Sequence, residues 1–224
     1  MVILETAITK DGTLSVVERD NMLALRNGDS GYSCIYTDNS TYQPIYVPVQ
    51  YLFEDFACKK NIGRVAILGG GCCSFPRFII KRYNNTIFVD SIEYLPLIID
   101  YTKKYFLKGI ETNKLNIIKD DAFHFIERTT NKYDFIFVDL FVGGISIRQS
   151  HTRNFLINLS KHTGKHSIVV FNEYQRTLQQ CKNLCTMGID YFDKSIILKD
   201  EENTYYVAFI NGEYDEYGIK QYLL

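Results

Sequence analysis

The stretch that decides the fold is VAILGGGCCSFPRF, residues 65–78. Four apolar residues suited to a strand buried on both faces run into Gly69, Gly70 and Gly71, and a helix-like segment, SFPRFIIKRY, follows almost at once. Three missing side chains at a strand end let backbone N–H groups and the next helix N-terminus come close to a ligand. The loop is not a P-loop, because no Gly-Lys-Ser/Thr follows. Nor does it complete G-x-G-x-x-G, since Ser74 stands in the last glycine position when Gly69 is the first. An ordinary tight strand-to-helix turn is the plain alternative, and neither reading explains the adjacent Cys72 and Cys73.

Outward from this loop, strand and helix alternate. RVAILGG, NTIFVD, LNIIKDD, YDFIFVDLF and HSIVVFNEY read as strands. SFPRFIIKRY, EYLPLIIDYTKKYF, DAFHFIERTT and TRNFLINLSKH read as the intervening helices. The succession predicts an α/β fold, a Rossmann-like and mainly parallel sheet covered on both faces by right-handed crossovers. At the end, TLQQCKNLCTMG reads as a helix, and KSIILKD and TYYVAFI flank DEEN as an antiparallel C-terminal hairpin. The start differs: ILETAIT, LSVVERD, MLALRNGD and GYSCIYTD are short β-rich runs with Asp11-Gly12 and Gly28-Asp29 as turn dipeptides. We expect a β-rich N-terminal subdomain over 1–45 and a nucleotide-binding catalytic domain over 46–224, entered through the helix-like VPVQYLFEDFACKK.

Bulk properties bound the function. With 25 Lys plus Arg against 26 Asp plus Glu, the net charge of -1 gives no global field for nucleic acid or an anionic membrane. No apolar run approaches the ~18 residues of a membrane span, and the N-terminus lacks a signal-peptide pattern, so a soluble cytoplasmic protein is expected. Six cysteines spread over a large core-forming chain argue for reduced thiols. Cys34 and Cys58 are isolated, and Cys181 and Cys185 lack a second ligand pair, so no metal site is expected.

In open α/β sheets ligands bind beyond the carboxyl ends of the strands, so strand-terminal residues carry the information. Asp90 closes TIFVD roughly twenty residues past the glycines, where an acid accepts hydrogen bonds from ribose hydroxyls; a solvated strand-end acid is the alternative. Asp121 follows LNIIKD and either accepts from an exocyclic amine of a base or caps the next helix. In YDFIFVDLFVGG, Asp134 precedes the apolar run and Asp139 follows it. Only Asp139 therefore reaches the ligand edge, to orient or deprotonate a nucleophile or to bond the next loop. Gly143 and Gly144 then offer a close-approach segment. His124 reads as a helix-surface or packed histidine.

Together these residues resemble the spermidine/spermine synthase family, aminopropyltransferases built on the class I S-adenosylmethionine methyltransferase-like fold. VAILGGG is similar to the family's nucleotide loop, IFVDSIEYLPLIIDYTKKYF to its ribose-acid strand and next helix, NIIKDDAFHFI to its adenine-side motif and KYDFIFVDLF to its catalytic strand. The resemblance implies that Gly69, Gly70 and Gly71 surround the methionine-derived part of the donor and that Asp90 holds ribose. It further places Asp121 and Ala122 at adenine, and makes Asp139 the proton acceptor. Tyr42-Gln43 in STYQPIYVPVQ resembles the tyrosine and polar residue lining the acceptor site, and the β-rich start suggests a homodimer contact.

Two departures concern charge. The family loop continues with an Asp where this chain has Cys72, and the second acid of the family's D-x-x-D stretch is Val142 here. Both family carboxylates hold cationic amines, and Glu173 in VVFNEYQ is a candidate to restore one. A neutral Cys72 would remove the repulsion an Asp exerts on the carboxylate of intact S-adenosylmethionine. The expectation is thus an S-adenosylmethionine-dependent transferase, of methyl or aminocarboxypropyl groups, acting on a small amine. Aminopropyl transfer from decarboxylated S-adenosylmethionine is the alternative, as is a noncatalytic nucleoside-binding scaffold. For the cysteines themselves, thiol chemistry at a helix N-terminus and simple packing both stand open.

Overall fold

The computed structural model describes every residue except Asp11, Asn39, Asn85, Gly143 and Glu216, and the backbone alone of Tyr217. Asp11 of the first turn dipeptide and Gly143 of the glycine pair thus lie outside the described residues.

Four short strands come first: β1 (Val2–Thr9), β2 (Gly12–Arg19), β3 (Met22–Asn27) and β4 (Ser30–Tyr36). They form an antiparallel meander in the order β1-β2-β3-β4. The helix α1 (Val47–Lys59) leads to β5 (Arg64–Leu68), α2 (Ser74–Tyr83), β6 (Phe88–Glu93), α3 (Pro96–Tyr101), β7 (Leu115–Lys119), α4 (Ala122–Arg128) and β8 (Tyr133–Val138). A two-stranded ribbon of β9 (Phe141–Val142) and β10 (Ile145–Ser146) precedes α5 (Arg153–Lys161) and β11 (Thr163–Glu173). The chain closes with α6 (Leu178–Gly188), β12 (Lys194–Lys199) and β13 (Tyr205–Asn211). No helix among the described residues is long and apolar enough to cross a membrane.

The large sheet has seven strands in the order β12-β13-β11-β8-β5-β6-β7. β11, β8, β5, β6 and β7 are mutually parallel, whereas β13 runs antiparallel to both β11 and β12. This is the α/β architecture expected, with its antiparallel C-terminal pair. The order reverses between β5 and β8, which marks the ligand crevice at their carboxyl ends.

Hydrophobic pattern explains the layers. Val65, Ile67, Phe135 and Phe137 turn to one face of the sheet and meet Leu52, Phe53, Phe56, Phe75 and Phe78 of α1 and α2. Phe53 is central there, edge-on to Phe75 at 5.7 Å and to Phe135 at 5.0 Å, an arrangement that adds quadrupole attraction to burial. Ala66, Leu68, Ile136 and Val138 turn to the other face and meet Ile126, Phe155, Leu156, Leu159 and Leu184. A third cluster joins Leu14, Val16, Leu23, Leu25 and Ile35 of the small sheet to Ile98, Tyr101 and Phe106, so the meander packs beside the crevice.

One expected strand shifts. The run read as NTIFVD occupies 88–93 instead, because Phe88 pairs with Arg64 and Ile92 with Leu68. The following helix starts only at Pro96, whose fixed φ suits the first helical turn and which has no N–H to leave unpaired. Asp90 therefore sits in mid-strand opposite Ala66, and Glu93 ends the strand.

Candidate functional site

The glycine loop is closed from within by backbone bonds. Gly69 N and Gly70 N both donate to the Ile92 carbonyl, at 3.0 and 2.7 Å. At Gly69, φ is +89°, and an added Cβ would lie 2.1 Å from the Asp139 carbonyl; at Gly70 it would lie 2.2 Å from Ser91 Oγ. These two glycines let three strand ends converge. Gly71 differs, for a Cβ there would meet nothing closer than Ser33 at 3.8 Å, although its φ of +48° disfavours a side chain. The loop is thus tight against the sheet at its start and leaves room above Gly71, a cradle that suits the chain of a nucleoside donor.

Glu93 closes the other side of that cradle. Its Oε2 accepts from Gly71 N at 3.0 Å and its Oε1 from Leu95 N at 2.8 Å. Burial raises its pKa, and the backbone donors oppose that rise. Tyr94 beside it is 62% exposed, an apolar ring face available to cover a base. Sequence reasoning missed Glu93; the signal was Pro96, which fixes where the helix starts and hence where the strand stops.

Asp90, the acid expected at ribose, is corrected on placement. It is 1% exposed and lies inside the sheet, where Oδ2 accepts from Arg64 Nη1 at 2.8 Å and the Tyr133 hydroxyl at 3.0 Å. Its Oδ1 accepts from Asn116 Nδ2 at 2.8 Å. These partners come from the starts of β5, β8 and β7, the second lying beyond β5, so Asp90 is a cross-sheet tie.

Asp121 adopts the helix-capping geometry. Its Oδ1 accepts from Phe123 N at 2.8 Å and His124 N at 3.1 Å, and Ala122 opens α4 as a buried residue. Both bonds use one oxygen, so Oδ2 stays outside the cap. His124 is exposed on the helix surface, as expected.

Asp139 follows β8 at the crevice and is gripped from two sides. The Tyr46 hydroxyl donates to Oδ2 and Asn172 Nδ2 donates to Oδ1, each at 2.7 Å. Burial pushes the Asp139 carboxyl up to about 6, while the two donors pull it down and Glu93 raises it slightly. A carboxylate poised there is ionised at neutral pH yet basic enough to take a proton from an ammonium. Tyr46 precedes α1 with φ of +61° and packs edge-on to Phe137 at 5.1 Å.

Tyr42 and Gln43, expected at the acceptor, face elsewhere. The Tyr42 hydroxyl donates to Glu54 and its ring stacks on Tyr51 at 5.2 Å. Gln43 is 2% exposed, and its backbone N–H and carbonyl bond the Gln50 side chain. The correction is one of chain path: the linker turns left-handed at Tyr46, so Tyr46 reaches Asp139 and the earlier pair packs behind. Glu173 is also corrected. It is 1% exposed, with Oε1 bonded to His151 Nε2 at 2.8 Å and Oε2 accepting from Arg176 Nε at 3.3 Å, which leaves it closed to an amine.

Cys72 answers the question raised by the loop. It is fully buried in the third cluster with Leu14, Leu25, Ile98 and Tyr101, so it helps pack the small sheet onto the main one. Burial raises its pKa well above the thiol range and pushes Cys73 up to about 12, so both stay neutral. A neutral, enclosed thiol is a poor nucleophile.

A doubly wound sheet with a glycine loop, a strand-end acid at its rim and a gripped carboxylate across the switch point has the methyltransferase-like fold, shared with human methyltransferase-like protein 13 at a TM-score of 0.60 and 14% identity over 75% of this chain and 80% of that one. More narrowly, the chain belongs to the Spermine/spermidine synthase domain family, whose model matches residues 55–210. It is 27% identical over 135 residues to the polyamine aminopropyltransferase of Alkaliphilus metalliredigens, covering 59% of this chain and 39% of that protein. It is 31% identical over 135 residues to the polyamine aminopropyltransferase of Buchnera aphidicola, covering 55% and 46%. The chain thus spans less than half the length of these curated relatives. Its fold superposes on a probable spermidine synthase from Corynebacterium glutamicum with a TM-score of 0.82 at 15% identity, over 96% of this chain and 82% of that one.

Proposed function

We propose that the protein is an aminopropyltransferase that moves the three-carbon amine arm of decarboxylated S-adenosylmethionine onto a small amine. Family membership and the two curated relatives support the aminopropyl reading over the methyl and aminocarboxypropyl readings. Cys72 is fully buried among apolar side chains, which gives no support to a donor site rebuilt around it for the carboxylate of intact S-adenosylmethionine.

The observation that carries the reading is the grip on Asp139. In this mechanism the glycine cradle and Glu93 hold the donor nucleoside, with Glu93 accepting from ribose and Asp121 Oδ2 facing adenine. Asp139 takes a proton from the acceptor ammonium. The freed nitrogen lone pair forms a bond to the carbon attached to sulfonium; the carbon–sulfur bond breaks, and its electrons leave sulfur as a neutral thioether. Alignment of nitrogen, carbon and sulfur, with water excluded by the small sheet, supplies the rate gain. Asn172 and Tyr46 keep both Asp139 oxygens oriented. Binding tests the donor: calorimetric titration with the decarboxylated and intact donors should give tighter binding of the decarboxylated form, and preference for the intact form would refute the reading.

A further inference from the structure

The chain that leaves Asp139 comes back to the end of β11 at His151. Val138 pairs in parallel register with Phe171, so Asp139 and Asn172 stand side by side at the carboxyl edge, joined by the 2.7 Å bond to Asp139 Oδ1. Glu173 follows Asn172 at once and, by strand alternation, turns to the face that Phe171 occupies. There the His151 ring meets both, its Nε2 2.8 Å from Glu173 Oε1 and its centroid 6.2 Å from that of Phe171. The returning segment is braced on its way, with Ile147 N donating to the Leu140 carbonyl and Ser150 N to the Ile147 carbonyl, each at 3.0 Å. Asp139 and Asn172 thus close one end of a circuit, and His151 and Glu173 close the other.

Donors and acceptors around the ring fix its charge. Ser150 Oγ lies 2.6 Å from the Ile147 carbonyl and gives its single proton there, because a carbonyl only accepts. Ser150 Oγ therefore accepts from His151 Nδ1, 3.0 Å away. Glu173 Oε2 is ion-paired with Arg176 Nε at 3.3 Å, and Oε1 of the same carboxylate accepts from His151 Nε2. With both nitrogens donating, the ring is an imidazolium. The His151 side chain is 11% exposed and that of Glu173 1%, so the two charges face each other away from water, where a charge without a partner is costly. Besides Arg176, the titratable groups that feel Glu173 are the Cys181 and Cys185 thiols of α6, which burial raises and keeps neutral.

We infer that His151 is a positioning residue for Asp139: its imidazolium clamps Glu173 to the segment that leaves Asp139, and so keeps Asn172 Nδ2 on Asp139 Oδ1. The Asn172 bond is one of the two that pull the Asp139 carboxyl down, so a loosened clamp lets the carboxyl rise. The part His151 plays in turnover rests on the reaction proposed above, whereas the clamp rests on these hydrogen bonds alone.

NMR of the full chain reads both groups. In the unsubstituted protein, nitrogen-labelled at histidine, the His151 ring should carry protons on both nitrogens at neutral pH, a result that decides even if a variant does not fold. Titration of the labelled Asp139 carboxyl should centre at about 6, move up by at least about half a pH unit in His151→Leu, and stay near its original value in His151→Gln, whose amide still donates to Glu173. A neutral His151 ring, an Asp139 titration unmoved in His151→Leu, or the same rise in both variants would overturn the inference. Turnover is scored apart: a His151-dependent Asp139 titration without aminopropyl transfer would support the clamp and refute the proposed reaction.

Discussion

The Tyr46 hydroxyl lies 2.7 Å from Asp139 Oδ2, joining residues 93 positions apart in the chain. Tyr46 reaches that oxygen from a left-handed backbone, a costly conformation for a tyrosine, at the entry of α1. Removing the donor in Tyr46→Phe takes away a bond that lowers the Asp139 pKa, so the carboxyl rises further above about 6. Asp139 accepts a proton only when ionised, so activity should climb as pH rises through about 6 and then level. In Tyr46→Phe the acid limb of the kcat/KM profile should move up by about one pH unit. An unmoved limb would mean that the Tyr46 bond does not tune the base.

Asp90 and Glu93 should separate stability from binding. Asp90→Ala strands Arg64 beside an emptied site and should cost about 3 kcal/mol of unfolding free energy with donor affinity unchanged. Glu93→Gln should keep the melting temperature within a few degrees and weaken nucleoside binding by about tenfold. Denaturant titration paired with calorimetry reads both. The reverse pattern, a stable Asp90 variant with lost donor binding, would restore Asp90 to the ligand.

Gly70→Ala should fail for a different reason. Its Cβ would press on Ser91 Oγ at 2.2 Å in the middle of the loop. Loss of at least about 2 kcal/mol of stability is expected, and Ser91→Gly in the same chain should recover part of it. Equal stability of the single and double variants would show that the loop moves freely.

Thiol labelling checks the role of Cys72. Cys58 is exposed, whereas Cys72, Cys73 and Cys181 are buried. An alkylating reagent should modify Cys58 on the native protein and reach the buried three only after denaturant is added, as mass mapping would show. Native-state labelling of Cys72 at the rate of Cys58 would place it in an open site.

The order of elements was legible because each rests on a local pattern. SFPRFIIKRY matches α2 residue for residue, since its apolar spacing, Asn84 in a left-handed cap and the preceding glycines all mark its ends. Asp139 was legible too, as the first polar residue after a buried run. The interior of β6 was not. Asp90 and Ser91 look like the end of a strand, and they stay inside the sheet only because Arg64, Asn116 and Tyr133 arrive from other strands. Nor was the choice between Tyr42 and Tyr46, which depends on a left-handed turn that sequence does not announce. Pro48 was the available clue, for it places the start of α1 just before itself and Tyr46 at the helix entry.

The most direct measurement is product analysis by mass spectrometry after incubation with decarboxylated S-adenosylmethionine and 1,4-diaminobutane. The account predicts methylthioadenosine and an aminopropylated diamine in equal amounts, with both falling by at least about a hundredfold in Asp139→Asn. No transfer from this donor, or a methylated amine formed from intact S-adenosylmethionine, would contradict it.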